Sequence, residues 1–168
     1  AELIELVFNA DQEMLIQNVT ADRTKINQVL GNLFKNAVKF TKSGKIEFGL
    51  KKGEPDWLNF YVKDTGIGIP EDKHDVIFEF FRQLDDSDTR EYGGVGIGLA
   101  ISQKIVKVMK GSLTVESVPG EGSTFYFRIP VVMRSQNKEF INTYQDLIVP
   151  DLKGKTIIIA EDDPVSTE

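Results

Sequence analysis

Cysteine is absent from all 168 residues, which excludes a disulfide framework and a zinc–thiolate site and fits a reducing compartment. Long apolar runs are absent too. Nothing approaches the ~20 residues that cross a bilayer, and no basic, apolar, small-residue leader opens the chain. Histidine is scarce: the one example, His74, sits among charged residues and reads as a solvated surface side chain. Positive charge is in deficit, with 20 Lys+Arg against 26 Asp+Glu and a formal net charge of −6. That balance argues against nucleic acid, or an acidic membrane surface, as a direct partner.

What remains is globular, with 40% apolar and 27% charged residues in a length that suits one ordinary domain and a little more. The chain opens inside an apolar segment without a Met, which reads as a piece of something longer. Leu3–Phe8 and Met14–Val19 are short apolar stretches that suit strands. Asp22 is a good N-cap; after it Ile26, Val29, Leu30, Leu33, Phe34, Ala37 and Val38 recur at helical spacing. Ser43 and Gly44 break that pattern. Ile46, Phe48 and Leu50 then alternate, as do Leu58, Phe60 and Val62, which predicts two strands joined near Gly53–Asp56.

One or two short helices are expected over Glu71–Phe81, after Pro70. The polar, glycine-ended stretch 85–94 is expected to be a mobile loop. Gly96–Met109 predicts a helix stopped by Gly111. Leu113 and Val115, then Phe125, Phe127 and Ile129, alternate as strands about a turn at Pro119–Gly122. This order predicts an α+β fold: a two-layer α/β sandwich with a mixed, mostly antiparallel sheet and helices on one face. A first domain over 1–131, a linker over 132–154 and a new strand candidate at Thr156–Ala160 complete the reading.

Four short signatures carry the chemistry: NLFKNAVKFT (Asn32–Thr41), DTGIGIP (Asp64–Pro70), GGVGIGL (Gly93–Leu99) and GEGSTF (Gly120–Phe125). On the first helix Asn32, Asn36 and Lys39 share one face, read as lying opposite the apolar stripe. A solvated outer face would explain a single Asn. Two Asn and a Lys in register favour a site, because an Asn carbonyl is a neutral hard oxygen that suits one place in a magnesium shell shared with phosphates and water. Asp64 follows a strand and precedes Gly66 and Gly68. A carboxylate there can accept the amino protons of adenine, although Asp-x-Gly is also an ordinary turn signal. Gly93, Gly94, Gly96 and Gly98 precede a helix and could hold an anion on backbone amides, or could be only a hinge. The spacing matches neither a Walker loop nor the dinucleotide fingerprint. Gly120–Phe125 alone reads as a hairpin turn, with Thr124 of interest if it faces Asp64. Phe78, Phe80 and Phe81 read as core. Arg82 and Arg90 flank the polar loop and could bring positive charge to a polyphosphate.

Together these stretches resemble the catalytic, ATP-binding domain of sensor histidine kinases, in the superfamily that includes gyrase-type and mismatch-repair ATPases. The resemblance covers about residues 1–131, with IFEFF (Ile77–Phe81) similar to the family's F box. It implies the Bergerat-type ATP-binding fold, with ATP and Mg2+ as cofactors. It implies Asn36 as magnesium ligand, with Asn32 and Lys39 at the phosphates in the catalytic role and Phe40 stacked on the base. Asp64 would bind the adenine amino group, helped by Thr124 through water, against a wall of Gly66, Gly68 and Ile69. Gly94, Gly96, Gly98 and Leu99 would cradle phosphates, with Arg82 and Arg90 nearby.

Position 32 distinguishes branches of the superfamily. ATP-hydrolysing members carry a Glu there as general base, whereas Asn32 is an amide that takes no proton at neutral pH. The resemblance therefore implies transfer of the γ-phosphate to a histidine on a dimerisation domain absent from this chain. An ATP-hydrolysing clamp or chaperone, and a degenerate module that only binds partners, are the alternatives. Val95 departs from the family's usual hydroxyl residue, and no acceptor-histidine helix is present. KTIIIAEDDPVS (Lys155–Ser166) resembles the first strand of a receiver domain, which implies a hybrid kinase with a downstream receiver. The resemblance implies a cytoplasmic location, compatible with a parent anchored in the inner membrane.

Overall fold

In the computed structural model the described residues are 3–11, 19–81 and 96–133. The chain divides into two compact units, Ala1–Gln136 and Asn137–Glu168, and all described residues lie in the first. The expected loop at 85–94, most of the Met14–Val19 stretch and the Lys155–Ser166 segment lie outside the described residues.

The first strand, β1, covers Ile4–Ala10. A two-residue strand, β2 (Val19–Thr20), leads to helix α1 over Arg23–Phe40. As expected, Asp22 caps α1, its side chain accepting the Lys25 amide at 3.1 Å. Strands β3 (Gly44–Lys51) and β4 (Trp57–Asp64) follow, then two single turns of 3-10 helix at Glu71–Lys73 and Val76–Phe78. Helix α2 covers Gly98–Val108, and β5 (Ser112–Val118), β6 (Gly122–Pro130) and β7 (Val132–Met133) complete the unit.

The main sheet has the order β1-β3-β4-β6-β5. Only β1 and β3 pair in parallel; the other neighbours are antiparallel. The mixed sheet expected from the pattern is therefore present. Residue 19 does not join it: Val19–Thr20 pairs with Val132–Met133 as a separate ribbon, so ordered pairing runs two residues beyond Val131.

Strand parity explains the two layers. Leu58, Phe60 and Val62 of β4 and Phe125, Phe127 and Ile129 of β6 face the helices and join Val29 and Leu33 of α1 and Val106 of α2 in one core. Phe60 and Phe127 sit directly opposite each other and stack with centroids 4.5 Å apart. Among the described residues no helix is long and apolar enough to cross a membrane.

Two local readings need correction. Phe78 packs on the core, but Phe80 and Phe81 are 40% and 74% exposed. The 3-10 turn ends at Phe78, Glu79 is extended and Phe81 takes φ 60°, which carries both rings out of the layer. The α2 stop also differs in detail. Gly111 donates to the Val106 carbonyl and Lys110 to the Lys107 carbonyl, the paired bonds of a Schellman ending. The left-handed residue is Lys110, at φ 60°, while Gly111 is required for space, since a Cβ there would lie 2.0 Å from the Arg128 carbonyl oxygen.

These neighbours should respond oppositely. Lys110→Gly relieves a left-handed side chain and should stabilise by about 0.5–1 kcal/mol. Gly111→Ala forces the backbone apart and should destabilise by about 1–3 kcal/mol. Urea unfolding of both variants reads the difference.

Candidate functional site

Asp64 ends β4 on the core-facing parity, so its side chain points inward where the sheet stops. It is 6% exposed. Oδ1 accepts the Gly66 amide at 2.8 Å and the Ser123 amide at 3.3 Å. Oδ2 receives no hydrogen bond among the described residues. Burial pushes the carboxyl above its ordinary 3.8, and the Gly66 and Ser123 amides oppose that rise.

The loop after Asp64 is held on several sides. The Ile67 amide donates to the Phe40 carbonyl at 3.2 Å, tying it to the end of α1, and the Gly120 amide donates to the Ile67 carbonyl at 2.8 Å. A Cβ on Gly66 would lie 2.3 Å from the Phe40 carbonyl oxygen, and one on Gly68 (φ 70°) 2.1 Å from that of Val118. Both glycines are therefore required by packing within the protein. Ile69 donates its amide to Ser117 Oγ at 2.8 Å while its side chain packs on the core.

Ser123, not Thr124, is on the Asp64 side. Thr124 stands opposite Lys63 on the outer parity, and its hydroxyl bonds Tyr126. The period of two along β6 decides this: if Phe125 and Phe127 face inward, 123 does and 124 does not. A proton count then orients Ser123. Ser117 Oγ accepts from Ile69, donates to the Gly122 carbonyl at 2.8 Å and lies 2.9 Å from Ser123 Oγ. With Ser117's one proton used, Ser123 must donate to Ser117 and keeps its lone pairs as acceptors.

On α1, Asn32, Asn36 and Lys39 share a face as expected, but that face flanks the core and does not oppose it. All three are half-buried, and the outward positions on this stretch of α1 include Asn27, Gln28, Gly31 and Lys35. Asn32 Nδ2 donates to Ser102 Oγ at 3.1 Å and to the Gly98 carbonyl at 3.3 Å, and Ser102 Oγ donates to the same carbonyl at 2.9 Å. The carbonyl acceptor identifies the amide nitrogen. Both its protons are taken, so Oδ1 is the group left over. Asn36 has no hydrogen-bond partner among the described residues. The Lys39 ammonium lies 5.0 Å from the Phe40 ring centroid.

Helix α2 begins at Gly98 without a side-chain cap, its N-cap position being Ile97. Among the described residues no side chain caps its first backbone amides, which stand at a positive dipole end. Gly96 takes φ 69° just before it. Leu99 turns its side chain into the core, so only its backbone can serve an anion. Gly94, Arg82 and Arg90 lie outside the described residues. His74 is half-buried, with Nε2 3.1 Å from the Ile69 carbonyl, and is therefore only partly solvated.

The sequence profile of the "histidine kinase-, DNA gyrase B-, and HSP90-like ATPase" family matches residues 21–133. The chain belongs to this ATPase family. Similar members include the autoinducer 2 sensor kinase/phosphatase LuxQ of Vibrio vulnificus, 47% identical over 115 residues (66% of this chain, 13% of that protein). The aerobic respiration control sensor protein ArcB of Escherichia coli is 38% identical over 159 residues (94% of this chain, 20% of that protein). The chain thus spans a fifth or less of these curated relatives. Among solved structures, full-length ShkA in complex with AMPPNP has TM-score 0.70 and 31% identity, covering 79% of this chain and 27% of that one. The nucleotide-free catalytic domain of the histidine kinase ThkA has TM-score 0.63 and 33% identity, covering 76% and 78%. Within the ATPase family this domain is of the sensor histidine kinase type.

Because folding raises the Asp64 pKa, the stability that protonation confers is fully present below pH 3.8 and is lost as pH rises through the raised value. Asp64→Asn carries no charge to bury. Its stability relative to wild type should therefore improve as pH rises from below 3.8 to neutrality. Urea unfolding at both ends checks this, and a constant difference would show that burial does not strain the carboxylate.

Proposed function

We propose that this domain binds ATP with Mg2+ and donates the γ-phosphoryl group to a histidine on a separate dimerisation domain of its parent. The observation that carries the reading is Asp64: a buried carboxylate whose Oδ1 accepts two backbone amides while Oδ2 has no donor among the described residues. An exocyclic amino group of adenine supplies that donor. Ser123 takes over the water-mediated role that Thr124 cannot fill, and Phe40 stacks on the base.

At the phosphate end the uncapped α2, with Gly96, Gly98 and the segment carrying Gly94, offers backbone amides, while Lys39, Arg82 and Arg90 bring charge. The residues present fit a magnesium ion. Among the described residues the side-chain oxygens of Asn36 and Asn32 have no hydrogen-bond donor, and both are neutral hard ligands. Among the described residues no cluster of three His, Cys, Asp or Glu could hold a metal unaided, so phosphates and water would complete the shell. Bound there, Mg2+ would neutralise charge on the phosphates.

In the transfer the bond from γ-phosphorus to the bridging oxygen breaks, a bond to an imidazole nitrogen of the acceptor forms, and ADP leaves. Asn32 has no basic lone pair with which to activate water, which favours transfer over hydrolysis. The acceptor-histidine domain is the required partner. A receiver beyond Lys155 would be the next station of a cytoplasmic phosphorelay.

Calorimetry with ATP and Mg2+ on wild type and Asp64→Asn tests the reading. Exchanging the acceptor for an amide should weaken binding roughly 10- to 100-fold. Equal affinity would refute the adenine assignment, and steady phosphate release without any acceptor would favour the clamp-type ATPase.

A further inference from the structure

The outer face of the sheet, which the nucleotide reading does not use, has its own organisation. Lys51, Asn59, Arg128 and Ser112 stand side by side on four adjacent strands, and Tyr61, Tyr126 and Thr114 form the next row. These two rows line a cavity of about 300 Å³, within the range of about 300–1,000 Å³ that holds small ligands. Its parity is opposite to that of Asp64, so it is separate from the candidate nucleotide site.

The lining is chemically one-sided. The Tyr61 hydroxyl donates to Glu47 at 2.8 Å and that of Tyr126 to Glu116 at 3.1 Å, so both phenol tips are committed and the rings remain as walls. Glu47 is further held by Lys45, and Asp11 accepts the Lys52 amide. Glu54 reaches Arg128 only at 3.9 Å. The neighbouring carboxylates are thus largely spent.

The donors are not. The Lys51 ammonium lies 4.8 and 5.5 Å from the Tyr61 and Tyr126 ring centroids, with no carboxylate partner among the described residues. Asn59 Nδ2 is shielded from solvent and also lacks a partner there. Arg128 bonds Ser112 through Nε alone and lies over Trp57. A buried amide donor without an acceptor is costly unless something fills the space beside it. Of the two wall rings on the sheet's outer face, Tyr61 is only 3% exposed and Tyr126 is half-buried.

We propose that this cavity binds a small aromatic carboxylate. The anion meets Lys51, Asn59 and Arg128, and the flat body lies against Tyr61 and Tyr126. A bare inorganic anion would use the cations and leave the aromatic walls unfilled. A neutral aromatic would do the reverse.

The test is an amide NMR titration of the full chain with three probes: benzoate, benzamide and inorganic phosphate. Benzoate should shift the Tyr61, Thr114 and Arg128 amides saturably, with a dissociation constant on the order of 1 mM or tighter. Benzamide and phosphate should bind at least about tenfold more weakly. Lys51 and Arg128 are exposed, so Lys51→Met and Arg128→Gln leave the core intact. Each should weaken benzoate about tenfold without changing ATP affinity. No saturable benzoate shift, phosphate binding as well as benzoate, or benzoate binding indifferent to both substitutions would each overturn the proposal.

Discussion

Around one carboxylate, Asp64, three distant parts of the chain are fastened together. Its Oδ1 gathers the amide of Gly66 from the following loop and that of Ser123 from β6. The close fit also dictates composition. A Cβ on Gly66 would come within 2.9 Å of Oδ1, and one on Gly122 within 2.1 Å of the Asp64 carbonyl oxygen. The two glycine-rich stretches are glycine-rich because backbone must pass against backbone here. The Phe40 carbonyl, bonded to Ile67, brings the end of α1 into the same knot. Burial raises the free energy of the charged carboxylate, a strain typical of a group kept for binding and unhelpful to stability.

The other end of the candidate site rests on a second knot. Asn32 spends both amide protons on the first turn of α2, through Ser102 and the Gly98 carbonyl. This bond sets where the open N-terminus of α2 stands relative to Asn36 on the same face of α1. The uncapped end of one helix and the neutral oxygens of the other are thereby placed as a unit. Asn32 serves as a structural clamp as well as a candidate contact, a double use that spacing alone does not reveal.

Most of the fold was legible in the sequence because its period signals are strong. The apolar stripe from Ile26 to Val38, the Asp22 cap and the alternations at 46–50, 58–62 and 125–129 correspond to observed elements. Other features are not decided by period alone. The resemblance implies Thr124 beside Asp64, but the parity of Phe125 turns Thr124 outward and Ser123 inward, which the strand pattern itself contains. The flanking position of Asn32 and Asn36 depends on how α2 packs beside α1, and helical spacing does not contain that. The exposure of Phe80 and Phe81 follows from a backbone reversal at Phe81, which no propensity marks. The Ser117–Ser123–Gly122 proton chain is tertiary throughout and had no signal in one dimension.

On the proposed function, Asp64 keeps one oxygen for an amino group on a purine. Calorimetry comparing ATP with purine riboside triphosphate, which lacks only the exocyclic amino group, tests it on the unmodified chain. The analogue should bind at least about tenfold more weakly, because the buried acceptor is left empty. Equal affinity for the two nucleotides would contradict it.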